Sequence, residues 1–552
     1  MKILFKFSLA VALCANFAIA EVKSYNEIKN EPKSLAKDYY IYRLATETKY
    51  DKNELKALRK AGIYRYRGKI KKELDKILGA FKALPKPDKC AGVTSANILD
   101  ANLTCQKARS YPAFVAKLSP KTRLTLISKF ENSGNLGAMS AINLLKGFNS
   151  GSPAQYFKES SHAQNYFSYY QFKGDESLLN INASPAFITD MAQVAGFKKV
   201  VEDAVIKRKY PNLRQSMLGI DPQKVDKEIA FLLGVNAVTY GDEAQALAYF
   251  GRAAATIESV HNSHNAKFWV YLLSKDENIL RELAKSNYYS LYSLYAKEIL
   301  GDKSLNIINP TPARDKISNY DIKNPFNWVR TKAKADKMGK AELLEFAKKF
   351  DTKESLGEWA YIMNKASGGR DNYYLTPFME HIGTTDLHRQ ALILALGRQE
   401  SRFIPSAVST SYALGMMQFM PFVANDIAKK QINIEGWDQD MMFDPKIAYK
   451  FANIHIDTLE TKLLSPVFIA YAYNGGLGFT SKLLKRADLF KRGKYEPFLS
   501  MELITFAESR DYGKKVLANY VIYSHVLNPN SRVSVRGELD KLLIPSKSDK
   551  IR

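Results

Sequence analysis

The sequence predicts an all-α protein whose N-terminal half is an α-superhelix built from pairs of helices. From about residue 25 to residue 375, apolar residues recur at helical spacing, and the sparse prolines and glycines fall between these runs. Alternating strand patterns are few in the same region. The chain has 552 residues, of which 46% are hydrophobic and 25% are charged, so it can form several domains with apolar cores.

The helical pair is clearest between residues 227 and 257. The pattern predicts one helix over Lys227–Tyr240, a turn and cap at Gly241-Asp242, and a second helix over Glu243–Ile257. Small residues in such a hairpin let two helices approach, and an aromatic ring fills the gap between them. The residues at this tetratricopeptide-like spacing are Gly241, Ala246, Phe250 and Ala253. A single match favours helical pairs in general and not a named repeat family.

The first twenty residues are typical of a cleaved signal peptide. Lys2 and Lys6 form a basic start, the apolar run Phe7–Ala15 is too short to cross a bilayer, and Ala18-Ile19-Ala20 is a small-residue cleavage box. We therefore expect export to the periplasm. An uncleaved N-terminal anchor is the alternative.

The net charge of +25 narrows the class of partner. A basic surface attracts anions, and export argues against nucleic acid as the partner. Cell-wall polymers and anionic membrane surfaces remain, with peripheral association as the expected mode, and a solvated basic surface without a specific ligand is the alternative. We expect a monomer.

The cysteines predict a structural bridge and no metal site. Cys90 and Cys105 remain after cleavage, and in an oxidising compartment they could close a short loop, with two free thiols as the alternative. Neither cysteine lies in a metal-ligand pattern, and no cluster of histidine and cysteine suits a metal. We therefore expect no cofactor.

A candidate general acid lies at the end of a buried helix. Thr384-Thr385-Asp386 is typical of a helix N-cap, and Leu387–Leu396 is apolar on nearly every side. The helix then reaches Glu400, where exclusion of water favours the protonated carboxyl that a general acid needs. On composition alone, the favoured alternative is a Glu400 that forms an ion pair with Arg398 or Arg402, or that is simply exposed at the helix end.

Three ordered sequence blocks reverse that preference. The first is Glu400-Ser401, Phe403, Pro405, Ala407, Ser409, Ala413, Gly415, Met417-Gln418 and Met420-Pro421. The second is Ala472-Tyr473-Asn474-Gly475-Gly476, and the third runs from Glu502 to Tyr512. Together they resemble the lytic transglycosylases of the soluble, periplasmic 70-kilodalton type. More faintly, Phe268-Trp269, Tyr288-Tyr289 and Gly301 resemble the end of that family's ring-shaped helical domain.

The resemblance implies a domain order. A signal peptide over 1–20 would precede a ring-like α-superhelical domain over 21–315 and a helical linker over 316–375. A lysozyme-like, mostly α catalytic domain would follow over 376–530, and residues 531–552 would form a polar tail. The fold class implied is therefore all-α throughout.

The resemblance also implies the chemistry and the residues that perform it. Glu400 would act alone as acid and base, cleaving peptidoglycan glycan strands without water to leave 1,6-anhydro-N-acetylmuramic acid ends. The residues implied to bind substrate are Ser409, Gly415, Met417, Gln418, Met420, Tyr473, Asn474, Glu508 and Tyr512. Core packing is the alternative for Met417 and Tyr473, and a surface ion pair with Arg510 is the alternative for Glu508.

Some positions depart from the family pattern. Asp444-Pro445 stands where the family usually has Asn-Pro, and Ala448 and Ala452 replace an asparagine and a glycine. Asp444 can still cap the helix and Pro445 still fits its first turn, so we read these changes as altered packing. Detailed substrate preference does not transfer across them.

Two other functions stay open at this point. A lysozyme-like hydrolase would need a positioned water and usually a second acid, for which Asp426, Glu435 and Asp438 are candidates by sequence. A non-catalytic helical scaffold that only binds glycan is the second alternative. The intact Glu400 and its matching neighbours argue against it.

Overall fold

The structure, a computed structural model, describes residues 22–81, 88–255 and 259–552. The predicted all-α class is confirmed, since these residues form helices and isolated β-bridges but no β-sheet. The predicted signal peptide, residues 1–20, lies outside the described residues. Among the helices that are described, none combines the length and the apolar character needed to cross a membrane.

The helices are numbered in chain order. The first part of the chain contains α1 (Tyr25–Ile28), α2 (Leu35–Glu47), α3 (Lys52–Ala61), α4 (Gly68–Leu78), α5 (Leu103–Ala108), α6 (Pro112–Val115), α7 (Pro120–Asn132), α8 (Met139–Asn149), α9 (Pro153–Glu159), α10 (Ala163–Lys173), α11 (Pro185–Ala192), α12 (Phe197–Ile206), α13 (Pro211–Ser216), α14 (Lys227–Tyr240), α15 (Glu243–Ala254), α16 (Val260–Ser274), α17 (Glu277–Ala284) and α18 (Leu291–Ile299). The remainder contains α19 (Pro325–Ala335), α20 (Lys340–Lys348), α21 (Leu356–Ala366), α22 (Leu387–Glu400), α23 (Pro421–Asp426), α24 (Pro445–Glu460), α25 (Pro466–Gly475), α26 (Leu477–Leu484), α27 (Phe498–Glu502), α28 (Ala507–Leu527), α29 (Val535–Lys541) and α30 (Pro545–Ser548).

The chain divides into two compact units, and each is discontinuous in sequence. Of the described residues, the first unit combines 22–81, 306–461 and 519–531. The second combines 88–255, 259–305, 462–518 and 532–552. The domain boundaries predicted from the sequence stay predictions.

Many helices begin with the same short signal, a capping residue followed by proline. Ser119, Ser184 and Ser465 each accept a hydrogen bond from a backbone N–H of the first turn, and a proline follows each serine. Asn324 and Asp444 do the same before Pro325 and Pro445. Proline suits the first helical position because the N–H that it lacks would have no acceptor within the helix. The predicted cap at Asp444 is therefore confirmed.

In the second unit, successive helices pack on one another. Neighbouring helices pack together within two runs, one from α7 to α11 and one from α14 to α18. The predicted pair is present as α14 and α15, and the predicted end at Ile257 lies outside the described residues. Phe250 is fully buried, stacks on Trp269 with ring centroids 5.1 Å apart, and fills the space left by Gly234. A Cβ at Gly234 would lie 2.8 Å from the Phe250 ring, so this glycine sets the close approach of the two helices. In the same unit Cys90 and Cys105 form a disulfide.

The first unit contains the buried part of α22 and a separate apolar cluster. Residues 391–397 of α22 are all buried, which agrees with a helix that is apolar on nearly every side. A separate cluster packs α19, α20 and α21 together; its buried members are Ile317, Ile322, Ala335, Leu343, Ala347, Phe350, Ile362 and Ala366.

Helix α2, near the start of the described chain, is joined to the rest of the first unit by a buried polar network. Arg43 is 2% exposed and pairs with Asp438 at 2.5 Å and with Asp440 at 2.9 Å. The hydroxyls of Tyr39 and Tyr40 donate to the two carboxylate oxygens of Asp440, at 2.6 and 2.8 Å. The network joins residues that lie about 400 positions apart in the sequence.

Candidate active site

Glu400 is the last residue of α22 and is half-buried. Asp386 caps the helix by accepting a hydrogen bond from the N–H of His388 at 3.0 Å, as the sequence predicts. Near the other end, Gly397 lies against Phe403 and Met417, where a Cβ would be 2.9 Å from the Phe403 ring and 3.1 Å from the Met417 sulfur. The helix end that carries Glu400 is therefore held by close packing on its inner side.

The turn after Glu400 is also held in place. The Ser401 hydroxyl donates to the carbonyl of Met416 at 2.7 Å and accepts from the N–H of Ile404 at 3.1 Å. Arg402 and Phe403 both adopt positive φ, 55° and 65°, which is uncommon for residues with a side chain. Two such residues in succession occur where the surrounding structure determines the backbone, which is common at functional sites.

The arginines on either side of Glu400 have partners of their own. The guanidinium of Arg398 donates to the carbonyl of Tyr373 at 3.0 Å and to the Asn519 side chain at 2.7 Å, and it lies 3.9 Å from the centroid of the Tyr374 ring. Arg402 donates to the Asn364 side chain at 3.5 Å.

The segment 409–420 folds into a tight loop beside α22. The Ser409 hydroxyl accepts from the N–H groups of Ser411 and Ala413, at 3.2 and 2.9 Å. Gly415 has a φ of 76°, and a Cβ there would lie 2.0 Å from the carbonyl oxygen of Met442. Positive φ and close backbone approach therefore both favour a glycine at this position.

The three remaining predicted residues of this loop differ in exposure. The side-chain amide of Gln418 donates to the carbonyls of Ala407 and Gly415, at 3.2 and 2.7 Å, so its own carbonyl is the group that could accept from a sugar. Met417 is fully buried, which corresponds to the core-packing alternative. Met420 is half-buried and directly precedes α23.

The other predicted contacts belong to the second unit. The amide of Asn474, in the last turn of α25, donates to Glu508 at 3.2 Å, and its carbonyl accepts from the Ser509 hydroxyl at 2.6 Å. Tyr473 is half-buried beside it, and Tyr512 is 5% exposed. Asn474 therefore links the second and third sequence blocks.

Two further features of this region concern the predicted ion-pair alternative for Glu508 and the glycine at position 475. Arg510 donates to Glu202 at 3.5 Å and to the carbonyl of Glu502 at 3.1 Å, whereas Glu508 bonds Asn474. A Cβ at Gly475 would lie 2.6 Å from the Phe479 ring, so a glycine at this position lets that ring pack closely against α25.

The structure thus groups the predicted residues in two sets. The first unit holds Glu400, Ser409, Gly415, Met417, Gln418 and Met420, and the second holds Tyr473, Asn474, Glu508 and Tyr512. No group of three or more histidine, cysteine or acidic side chains within the described ranges is arranged to hold a metal ion.

The sequence patterns did not predict one unusual carboxyl group, that of Glu358. Glu358, in the first turn of α21, is fully buried, and neither of its oxygens has a hydrogen-bond partner in the described part of the chain. Burial raises the pKa of Glu358 to about 8. The sequence carries no signal for it, because an acidic residue in a first helical turn is ordinarily exposed. Its neighbour Gly357 contacts the turn after Glu400, since a Cβ there would lie 2.5 Å from the carbonyl oxygen of Phe403.

Comparison with known proteins supports the catalytic part of the resemblance. The family model described as Transglycosylase SLT domain matches residues 379–495. Over 145 residues, 25% of this chain, the sequence is 30% identical to the soluble lytic murein transglycosylase of Escherichia coli K12 and covers 21% of that protein. Over 154 residues, 25% of this chain, it is 31% identical to the membrane-bound lytic murein transglycosylase C of Photorhabdus laumondii and covers 43% of it. The chain thus spans less than half the length of these relatives.

Solved structures align over most of the chain at low similarity. The lytic transglycosylase Slt of Pseudomonas aeruginosa, solved as an inactive mutant, aligns with 93% of this chain and 81% of its own, at 15% identity and a TM-score of 0.43. The 70-kilodalton soluble lytic transglycosylase of Escherichia coli aligns with 96% of this chain and 93% of its own, at 15% identity and a TM-score of 0.40.

Proposed function

We propose that this chain, whose residues 379–495 match the family model described as Transglycosylase SLT domain, is a lytic murein transglycosylase. Its substrate would be the β-1,4 bond between N-acetylmuramic acid and N-acetylglucosamine in peptidoglycan. The observation that carries the proposal is Glu400, a half-buried carboxyl at the end of a buried helix inside the matched range. The rigid turn after it and the loop 409–420 beside it supply a defined surface around that carboxyl.

In the first step, the protonated carboxyl of Glu400 gives its proton to the oxygen that bridges the two sugars. The bond between that oxygen and the anomeric carbon of the muramic acid breaks, and the N-acetylglucosamine leaves with a hydroxyl group. The positive charge that grows at the anomeric carbon is stabilised by the acetamido group of the same sugar. General acid catalysis of this kind typically contributes about 10²–10⁴-fold to a rate.

In the second step, the Glu400 carboxylate takes the proton from the 6-hydroxyl of the muramic acid. The freed oxygen bonds to the anomeric carbon and forms the 1,6-anhydro ring, so that Glu400 is protonated again and no water is consumed. A hydroxyl already held within the same molecule has a very high effective molarity, which removes the need for an activated water.

We assign sugar binding to polar groups in each of the two units. The side-chain carbonyl of Gln418 can accept from a sugar hydroxyl, since its N–H groups are engaged by the backbone. Asn474 and Glu508, joined by a hydrogen bond, are the groups of the second unit to which we assign sugar contacts. Tyr473 and Tyr512 are assigned to the same unit's substrate contacts.

We extend the proposal to the location of the protein. A cleaved signal peptide over residues 1–20 would deliver it to the periplasm, where peptidoglycan lies. The net charge is +25 for the full sequence and +23 once Lys2 and Lys6 are removed, which fits peripheral association with the anionic cell wall or membrane surface. We expect the protein to be a monomer.

A lysozyme-like hydrolase is the competing activity. It would need a second carboxylate to position water. Of the candidates, Asp426 pairs with Lys430 at 2.7 Å and Asp438 pairs with the buried Arg43 at 2.5 Å. The buried pairing favours a structural role for Asp438 over activation of a water molecule. The pair of Asp426 with Lys430 is exposed and contributes little to stability.

Product analysis separates the two activities. Purified protein is incubated with peptidoglycan, and the released muropeptides are weighed by mass spectrometry beside those from a lysozyme digest. A transglycosylase releases products that have lost one water relative to the lysozyme products. Reducing-end muramic acid as the main product would instead assign the chain to the hydrolases.

A further inference from the structure

A cavity that the sequence analysis did not predict adjoins the loop 409–420 in the first unit. Its volume is about 300 Å³. One wall comes from the residues just before and at the start of α4, and the other comes from the loop itself. We call it the basic cavity and define it by Arg65, Arg67, Lys69, Thr410, Ser411 and Met420.

The charge of this cavity is strongly positive. Arg65, Arg67 and Lys69 are exposed, and none of the three side chains forms an ion pair with a carboxylate elsewhere in the described ranges. The acidic residue of the lining, Asp38, is fully buried and accepts from the backbone N–H groups of Tyr64 and Arg65, at 2.8 and 2.7 Å. Its carboxylate thus holds the backbone in position and does not neutralise the three cations by direct pairing.

The walls of the basic cavity are rigid. The two hydrogen bonds to Asp38 fix the backbone that carries Arg65. On the opposite side, the ring of Tyr412 packs against Tyr39 and Tyr42 of α2, with centroids 5.9 and 5.6 Å apart. A cavity with walls held in this way needs little reorganisation to bind a ligand.

The cavity is continuous in sequence with the predicted sugar-binding loop. The hydroxyl of Ser409 accepts a hydrogen bond from the N–H of Ser411, and Ser411 lines the cavity. Met420, at the end of the loop, also lines the cavity. A ligand in the cavity would therefore lie beside the residues to which we assign glycan contacts.

We propose that the basic cavity binds a carboxylate of the peptide carried by the muramoyl residues of the glycan. This inference rests on the proposed function. The sugars of such a strand are uncharged where the lactyl group is in amide linkage, so the anions of the strand are the carboxylates of its peptides. Guanidinium and ammonium groups with nearby hydroxyls are the donors that recognise carboxylates. A phosphate-bearing anion shares this chemistry, and the test below distinguishes the two.

The experiment measures binding in the full chain carrying Glu400→Gln, so that the ligand is not cleaved. Two tetrasaccharides of the glycan are compared by calorimetry, one with its peptides and one without peptides, whose lactyl carboxyl groups are capped as simple amides so that it carries no carboxylate. The test variant is Arg65→Gln/Arg67→Gln/Lys69→Gln. The matched control is Lys52→Gln/Lys56→Gln/Lys60→Gln, which removes three exposed charges of α3 outside the cavity.

The expected result is a loss of affinity of about tenfold for the peptide-bearing ligand in the test variant, since exposed charge pairs contribute about 0.2–1 kcal/mol each. The peptide-free ligand should lose less than about twofold, and the control should match the parent on both ligands. Lys69→Gln alone, which leaves the backbone held by Asp38 untouched, should lose about two- to threefold on the peptide-bearing ligand.

Three outcomes overturn the proposal. The first is equal weakening for both ligands, and the second is no weakening beyond that of the control. The third is competition by inorganic phosphate without any preference for the peptide-bearing ligand, which would assign the cavity to a phosphate-bearing anion. Failure of the proposed function is recognised separately, because it appears as an absence of 1,6-anhydro products from the unmodified chain and does not enter this binding measurement.

Discussion

The role that we propose for Glu400 depends on its position as the last residue of α22. Residues 391–397 of this helix are buried while its end is half-exposed, so the carboxyl can meet a substrate while apolar packing fixes its backbone. The turn after Glu400 is restricted by the hydrogen bond from the Ser401 hydroxyl to the Met416 carbonyl. It is also restricted by the positive φ values of Arg402 and Phe403. A carboxyl that serves as both acid and base needs this restriction, because small misplacements of a catalytic group reduce rates strongly.

Glu400→Gln should abolish turnover and leave glycan binding nearly unchanged. The amide keeps the shape of the side chain but cannot deliver a proton, and the loss should be at or beyond about 10⁴-fold because one residue serves both steps. Glu508→Gln is the matched control, and it should weaken binding more than turnover because Glu508 bonds the amide of Asn474. Tyr473→Phe should fall between the two. Turnover by Glu400→Gln together with a dead Glu508→Gln enzyme would reverse these roles.

Glu358 gives a second prediction at the scale of a residue. Burial raises its pKa to about 8, so the folded chain keeps this carboxyl protonated between the unfolded value and pH 8 while the unfolded chain releases the proton. The unfolded state then binds fewer protons, and the free energy of unfolding falls as pH rises, by about 1.4 kcal/mol for each pH unit at most. The stability linked to Glu358 is therefore complete below the unfolded pKa and is lost by about pH 8.

Glu358→Gln should remove this pH dependence. Urea unfolding of the unmodified chain and the variant is measured at pH 5 and at pH 8. The unmodified chain should lose stability relative to the variant at the higher pH, since glutamine cannot ionise. Parallel behaviour of the two proteins between pH 5 and pH 8 would contradict a neutral, buried Glu358.

At the scale of elements, the loop 409–420 depends on one glycine. Gly415 has a φ of 76° and lies against the carbonyl of Met442, so that a side chain there is disfavoured by both the backbone and the neighbour. Gly436 offers a control within the same unit, because its φ is 66° and no atom lies within 4 Å of a Cβ placed there.

Gly415→Ala should destabilise the chain by about 2–4 kcal/mol, from positive φ and from overpacking together. Gly436→Ala should cost only about 1–2 kcal/mol, because the backbone term acts alone. Thermal unfolding measures the stability of both variants. The rate of glycan cleavage by each variant reports whether the loop keeps its geometry. Equal effects of the two substitutions on stability would mean that the Met442 carbonyl moves aside readily.

At the scale of the whole molecule, the first compact unit is assembled from three separate stretches of sequence. Its helix α2 supplies Arg43 to the carboxylates of Asp438 and Asp440. A fragment limited to residues 376–530 would keep these carboxylates and lack the arginine. Buried charges without a partner are strongly destabilising.

Arg43→Met in the full chain should lower the free energy of unfolding by about 3–5 kcal/mol, because two carboxylates lose their buried cation. Arg281→Met is the matched control: Arg281 is 48% exposed and pairs with Glu277 one helical turn away, and its loss should cost less than about 1 kcal/mol. Chemical denaturation measures both variants. A loss below about 1 kcal/mol for Arg43→Met would mean that water or neighbouring groups replace the arginine.

Local patterns were sufficient to predict the elements and the main candidate. Helical periodicity and capping residues predicted α14, the start of α15, and α24 with its cap at Asp444. The apolar run before Glu400 predicted the buried helix that carries it. Such signals depend on residues within one or two turns of each other, and sequence spacing reports those distances directly.

What the sequence by itself determined about this protein is therefore the all-α class, the beginnings and ends of many helices, and Glu400 as the candidate acid in its motif. Only the tertiary structure decided that Met417 is a core residue and that the amide N–H groups of Gln418 donate to backbone carbonyls. It also decided that the Glu358 carboxyl is buried without a hydrogen-bond partner among the described residues. The tertiary structure also joined α2 to Asp440 and assembled the basic cavity from two distant segments. The physical reason is that burial and long-range pairing depend on which surfaces meet in space, and no spacing along the chain encodes that meeting.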